Sequence, residues 1–129
     1  MLSKKSKIIN WILLVCYLEK KEVESIDYVF CDDAFLFKLN QQFLKHSTLT
    51  DIITFDNSTK RNIAAEIYIS TERVEENAQK FKTSFNEELR RVIIHGVLHC
   101  IGYSDKSPRH QLIMRKKEEE YLQLFTEMI

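Results

Sequence analysis

With 129 residues, 44% hydrophobic and 29% charged, the chain is long enough for one packed core and too apolar to stay disordered. Its 19 Lys+Arg balance 19 Asp+Glu, and a net charge of zero argues against coating nucleic acid by bulk electrostatics while leaving room for one local basic groove. Cys16, Cys31 and Cys100 are odd in number, far apart and without a C-x-x-C pair, a pattern that suggests neither a disulfide framework nor a cysteine zinc site and reads as buried free thiols of a reducing cytoplasm.

No repeat, linker or low-complexity segment divides the chain, so residues 1–129 read as a single domain, and with only 2 Gly and 1 Pro helix should dominate. Lys4, Lys5 and Lys7 precede an apolar run from Ile8 to Leu18 that resembles a secretory signal. No small-residue cleavage site follows, and the run is too short to span a bilayer. Ile8, Trp11, Leu14, Val15 and Leu18 fall at helical spacing, which predicts a core helix over about Lys5 to Lys20 and no membrane association. Ile26, Tyr28 and Phe30 alternate with Asp27 and Val29 as in a strand. Asp32 or Asp33 could cap a second helix with Leu36, Leu39 and Phe43 inside.

Asp51 to Phe55 is a short β-rich run, and Ala65, Ile67 and Ile69 alternate with Glu66 and Tyr68 in another strand. Ser70 or Thr71 opens a helix carrying Val74, Ala78 and Phe81. Ser84 and Glu87 have capping-box spacing at the start of the next, whose apolar face is Leu89, Val92, Ile93, Val97 and Cys100. Gly102 suits its left-handed end. Ser107 and Pro108 open a last helix with Met114, Tyr121, Phe125 and Met128 along one side. The fold class is α+β: a small mixed sheet covered by several helices, one of them a zincin-like metal helix.

His95 and His99 are four apart on the helix before Gly102, so their rings share a face and can converge on one ion. Gly102 lets the chain turn back and bring Asp105 as a third ligand, leaving a coordination position for water, as a catalytic zinc site needs. The string H-x-x-x-H-x-x-G-x-x-D is similar to the metzincin protease motif. The protease's glutamate base, however, is replaced by Gly96, whose missing side chain would open space beside the metal. Peptide hydrolysis is thereby disfavoured.

His95-Gly96-Val97-Leu98-His99-Cys100-Ile101-Gly102-Tyr103-Ser104-Asp105 resembles H-G-x-L-H-x-x-G-Y-D-H, the signature of the YbeY family of metal-dependent rRNA-maturation endoribonucleases. Thr50-Asp51-Ile52-Ile53-Thr54-Phe55 resembles the family's T-D/N-V-L-S-F, with Leu39-Asn40 matching a similar pair before it. Ala65-Glu66-Ile67-Tyr68-Ile69-Ser70 resembles its G-D-I-x-I-S strand. The resemblance runs from about Leu39 to Asp105. It implies one zinc ion per chain at His95 and His99, a mixed fold, and a cytoplasmic single-strand endoribonuclease. It further implies work on ribosomal RNA, including the 16S 3′ end, and ribosome quality control, with the ribosome or a ribosomal protein as partner.

Two positions depart from the family pattern. Asp105 stands where the family has its third histidine, and His110 on the next helix is a rival ligand. Phe43-Leu44 stands where the family has a Y-R pair whose arginine helps catalysis, and Lys45 or His46 could substitute. Glu66 is a candidate general base if its strand faces the histidine helix. Lys60, Arg61 and Arg91 are candidate RNA-backbone contacts, and the charged run Arg115 to Glu120 reads as a solvated helix face. The alternatives to an endoribonuclease are a metal-stabilised assembly factor that cuts nothing, favoured by Leu44, and a zinc peptidase-like hydrolase.

Overall fold

The computed structural model describes residues 5–43 and 50–129. In chain order the elements are α1 (Lys5–Leu18), β1 (Glu22–Cys31), α2 (Asp33–Phe43), β2 (Ile52–Asp56), β3 (Asn62–Ser70), α3 (Thr71–Lys80), α4 (Phe85–Ile101) and α5 (Pro108–Glu127). Strand order is β1-β3-β2, with β1 parallel and β2 antiparallel to the central strand, so the architecture is α+β with a mixed sheet.

The helix starts follow local chemistry. The Asp32 carboxylate accepts the Phe35 amide at 2.8 Å. Ser70, Ser84 and Ser107 are extended residues whose hydroxyls accept the amides of Arg73, Glu87 and His110, satisfying donors that the first helical turn leaves unpaired.

The sheet turns its apolar face toward α1 and α4. Ile63, Ala65, Ile67 and Ile69 of β3 join Trp11, Val15, Ile93 and Val97 in one core, with Ile26, Tyr28 and Phe30 of β1 packed against it. The Tyr28 hydroxyl donates to the Ile93 carbonyl at 3.1 Å, fixing α4 on the sheet. α2 lies on the other face, where Phe35 stacks on Tyr68 and Phe43 meets Phe55.

Trp11 ties the first helix to the last. Its indole N–H donates to the Tyr121 carbonyl at 2.8 Å, and its ring packs edge-on against Phe125 with centroids 5.2 Å apart.

Three expectations about inward residues are corrected. In α1 the buried set is Ile8, Trp11, Ile12, Val15 and Cys16, while Leu18 is half exposed at the helix end. In α2 Leu36 and Asn40 are buried and Phe43 is exposed, because its ring lies over the outer sheet face. Phe81 is exposed because α3 stops at Lys80 and Phe81 is its cap. No helix among the described residues is long and apolar enough to cross a membrane.

Candidate metal centre

α4 owes its orientation to one glycine. A Cβ built on Gly96 would lie 3.0 Å from Ile52 Cδ1 and 3.1 Å from Ile67 Cδ1. The missing side chain therefore lets the helix press onto the sheet. The expected open space beside the metal is not there, because isoleucine methyls occupy it. With Gly96 facing the sheet, His95 and His99 sit together on an adjoining face, their ring centroids 4.7 Å apart and interplanar angle 76°.

The chain then reverses. Gly102 has φ +128°, and a Cβ there would meet nothing within 4 Å, so glycine is favoured by backbone conformation and not by space. The amides of Gly102 and Tyr103 both bond the Leu98 carbonyl, at 3.1 and 3.0 Å. The loop beyond is held at both ends: the Tyr103 hydroxyl donates to Glu19 at 2.9 Å, and the Gln111 amide donates to the Asp105 carbonyl at 3.0 Å.

That turn brings Asp105 Oδ2 to 3.4 Å from His99 Nε2 and 3.7 Å from His95 Nε2. Ligand atoms of His95, His99 and Asp105 all lie within 4.8 Å of one another, a group that could hold a metal ion. The donor set fits a divalent ion such as zinc: two imidazole nitrogens and one carboxylate oxygen. His110 is elsewhere, at the first turn of α5, where its Nδ1 sits 2.7 Å from Ser107 Oγ; it is not in this group.

Behind His95 stands a residue that sequence reasoning missed. Glu118 is buried, and its Oε2 lies 2.6 Å from His95 Nδ1 while Oε1 accepts from Arg91 at 3.0 Å. Burial alone would raise the Glu118 carboxyl, but the bonds and charges of His95 and Arg91 outweigh it and hold the group below the usual carboxylate range. An ionised carboxylate only accepts, so Nδ1 carries a proton, and in the neutral ring Nε2 is then the bare nitrogen toward His99 and Asp105. Burial likewise works to lower the His95 pKa, and the contact with Glu118, helped by the charges of Asp105 and Asp51, raises it instead.

The run Arg115 to Glu120 is therefore not simply a solvated face. Glu118 falls four residues after Met114 and three before Tyr121, in the register of the buried side of α5, and that register was the signal that could have found it. Asp51 also lies toward His95, its carboxyl pushed above the ordinary range chiefly by burial, with the Glu118 charge adding. A cavity of about 930 Å³ opens here between α3, α4 and α5, lined by Asp51, Glu88, Arg91, His95, Arg115 and Glu118 among others.

The other candidates do not converge on this site. Glu66 is exposed and points to the sheet face opposite α4: its neighbour Ile67 touches Gly96, and alternation sends Glu66 the other way, in register with Asp27 and Phe55. A role as base beside the histidines is thereby corrected. Arg91 is not a free cation for a phosphate, because Glu118 and Glu119 take its two terminal nitrogens at 3.0 and 2.6 Å. Lys60 and Arg61 are exposed in the β2–β3 connection, where their carbonyls accept from Lys21 Nζ at 2.6 Å and the Glu22 amide at 2.8 Å. Leu44, Lys45 and His46 lie outside the described residues.

A family model described as endoribonuclease YbeY matches residues 2–126. A protein named endoribonuclease YbeY from Flavobacterium psychrophilum is 53% identical over 122 residues, covering 95% of this chain and 87% of its own. Its namesake from Porphyromonas gingivalis is 44% identical over 120 residues, covering 93% and 80%. The solution structure of TM1509 from Thermotoga maritima superposes with a TM-score of 0.69 at 29% identity, covering 96% of this chain and 85% of that one. The match along nearly the whole length joins the histidine helix and the mixed sheet to one set of relatives, and the chain belongs to the endoribonuclease YbeY family, hydrolases acting on RNA.

Proposed function

We propose that residues 1–129 form a single cytoplasmic domain that cuts single-stranded ribosomal RNA at one zinc ion held by His95, His99 and Asp105. The work is rRNA maturation, including the 16S 3′ end, and ribosome quality control, with the ribosome or a ribosomal protein as partner. The observation that carries the reading is the convergence of the three ligand atoms within 4.8 Å while His95 Nδ1 is already engaged by Glu118. The names of the relatives supply the RNA substrate.

An ion there would supply Lewis acidity toward a phosphoryl oxygen and the activation of water. The chain's own residues do the rest. The two histidines present imidazole nitrogens from one rigid helix, and Asp105 adds a carboxylate oxygen from a loop tied to α1 and α5. Lys60 and Arg61, exposed at the β2–β3 connection, are proposed to meet the RNA backbone, where Coulomb attraction needs no fixed geometry.

The test is cleavage of a single-stranded ribosomal RNA fragment by metal-loaded protein beside His99→Ala. Cleavage lost in the variant is the expected result. Intact RNA with fully loaded wild type would overturn the proposal in favour of a factor that binds and does not cut, the reading Leu44 favours.

A further inference from the structure

Arg91 lies one turn before His95 on α4, and Glu118 comes from α5, 23 residues beyond the histidine. The three side chains form an unbroken line: Arg91 Nη1 to Glu118 Oε1 at 3.0 Å, then Glu118 Oε2 to His95 Nδ1 at 2.6 Å. Glu118 is only 5% exposed, and a carboxylate is costly to bury unless paired on both oxygens, as it is here.

We propose that Arg91 and Glu118 are positioning residues that aim His95 at the metal. Glu118 accepts the Nδ1 proton, so in the neutral ring Nε2 is the bare nitrogen, and it faces His99 and Asp105. Arg91 holds the far oxygen of Glu118, keeping the near one on the imidazole. An imidazole has two nitrogens, and the hydrogen bond at one decides which the other can serve; a fixed ring also loses less freedom on coordinating an ion. The charge–charge contact explains why an arginine that looked free for RNA is turned inward. This inference rests on the metal reading above, and its test separates the two.

The test uses the full chain stripped of metal. Nitrogen-15 NMR of the His95 ring, at a pH where it is neutral, should show Nδ1 protonated and Nε2 bare. Zinc affinity is measured by competition with a chromophoric chelator. Glu118→Ala should weaken zinc binding about 10–100-fold and shift the ring proton toward Nε2. Arg91→Met should weaken binding by less, and Glu120→Ala, an exposed neighbour on α5, should leave it unchanged.

Wild-type affinity with an unmoved proton in folded Glu118→Ala protein would overturn the proposal. If that variant does not fold, Glu118→Gln keeps the volume and an acceptor oxygen; it should hold the proton on Nδ1 yet bind zinc more weakly, and unchanged affinity would overturn the proposal. Wild type that binds no zinc would defeat the metal reading, and the ring proton alone would then decide this one, with an Nε2 proton in wild type counting against it.

Discussion

Tyr103 donates its hydroxyl to Glu19 at 2.9 Å, so the loop that carries Asp105 is moored to the end of α1. Tyr121 bonds the other oxygen of the same carboxylate, with Lys117 at 3.4 Å. Glu19→Ala should therefore act on the metal site from a distance. It should lower zinc affinity several-fold through Asp105 while the His95 ring proton stays on Nδ1. It should also cost on the order of 1–3 kcal/mol of stability, since the Tyr121 hydroxyl loses its acceptor. Chelator competition and urea unfolding check both.

The same carboxylate gives the stability a pH signature. Burial works to raise Glu19, but bonds from Tyr121 and Tyr103 and the Lys117 charge bring it below its ordinary 4.5. A folded-state value below the unfolded one stabilises above the unfolded pKa, and that stability is lost as pH falls through the folded pKa. The difference in unfolding free energy between wild type and Glu19→Gln should be constant near neutrality and shrink below about pH 4.5. A difference that grows on acidification would contradict the assignment.

Asp105→His tests the charge of the third ligand. A carboxylate offsets part of the ion's charge, so water at the site should lose its proton less readily than with three neutral imidazoles. The variant should keep zinc, and its activity should rise at lower pH than in wild type. Superimposable pH profiles would remove this role for the aspartate.

Gly96→Ala sets helix propensity against packing. Alanine gains about 1 kcal/mol in a helix interior, but crowding in a packed core costs about 1–3 kcal/mol. The contacts are isoleucine methyls at 3.0 and 3.1 Å, so a modest net loss of stability is expected. Ile52→Val removes the nearer methyl and should recover part of that loss in the double variant. Strict additivity in denaturant unfolding would show that the two side chains do not meet.

Thiol labelling reads the core directly. Burial pushes the Cys16 thiol up to about 11 and Cys100 up to about 12, whereas Cys31 is half-buried. Under native conditions an aromatic disulfide reagent should modify Cys31 slowly and leave the other two untouched until denaturant is added. Fast modification of Cys100 would place the α4–sheet packing in error.

The residues that were legible in the sequence announce themselves by spacing. His95 and His99 follow from the helical repeat, Gly102 from its place after the last apolar residue, and Asp105 from the reach of the turn. Glu66 went astray because its strand does face the histidine helix, but the alternation that put Ala65, Ile67 and Ile69 on that side put Glu66 on the other. Glu118 was hidden by its charge: in the run of six charged residues from Arg115 to Glu120 sign patterns dominate, and its register with Met114 and Tyr121 is easily passed over, while the inward turn of Arg91 shows only in the packing of α5 on α4. Gly96 was read as space near an ion because sequence does not say which way a helix is rotated on its sheet.

Trp11 pins α5 from the opposite end of the chain, and α5 delivers the carboxylate behind His95. Ligand geometry is thus coupled to closure between the first helix and the last. During synthesis both histidines and Asp105 emerge before Glu118 does, so a nascent chain would hold its metal-binding motif complete but unaimed. On that proposal the site would hold its ion at full strength only once α5 has packed against α4 and brought Glu118 behind His95.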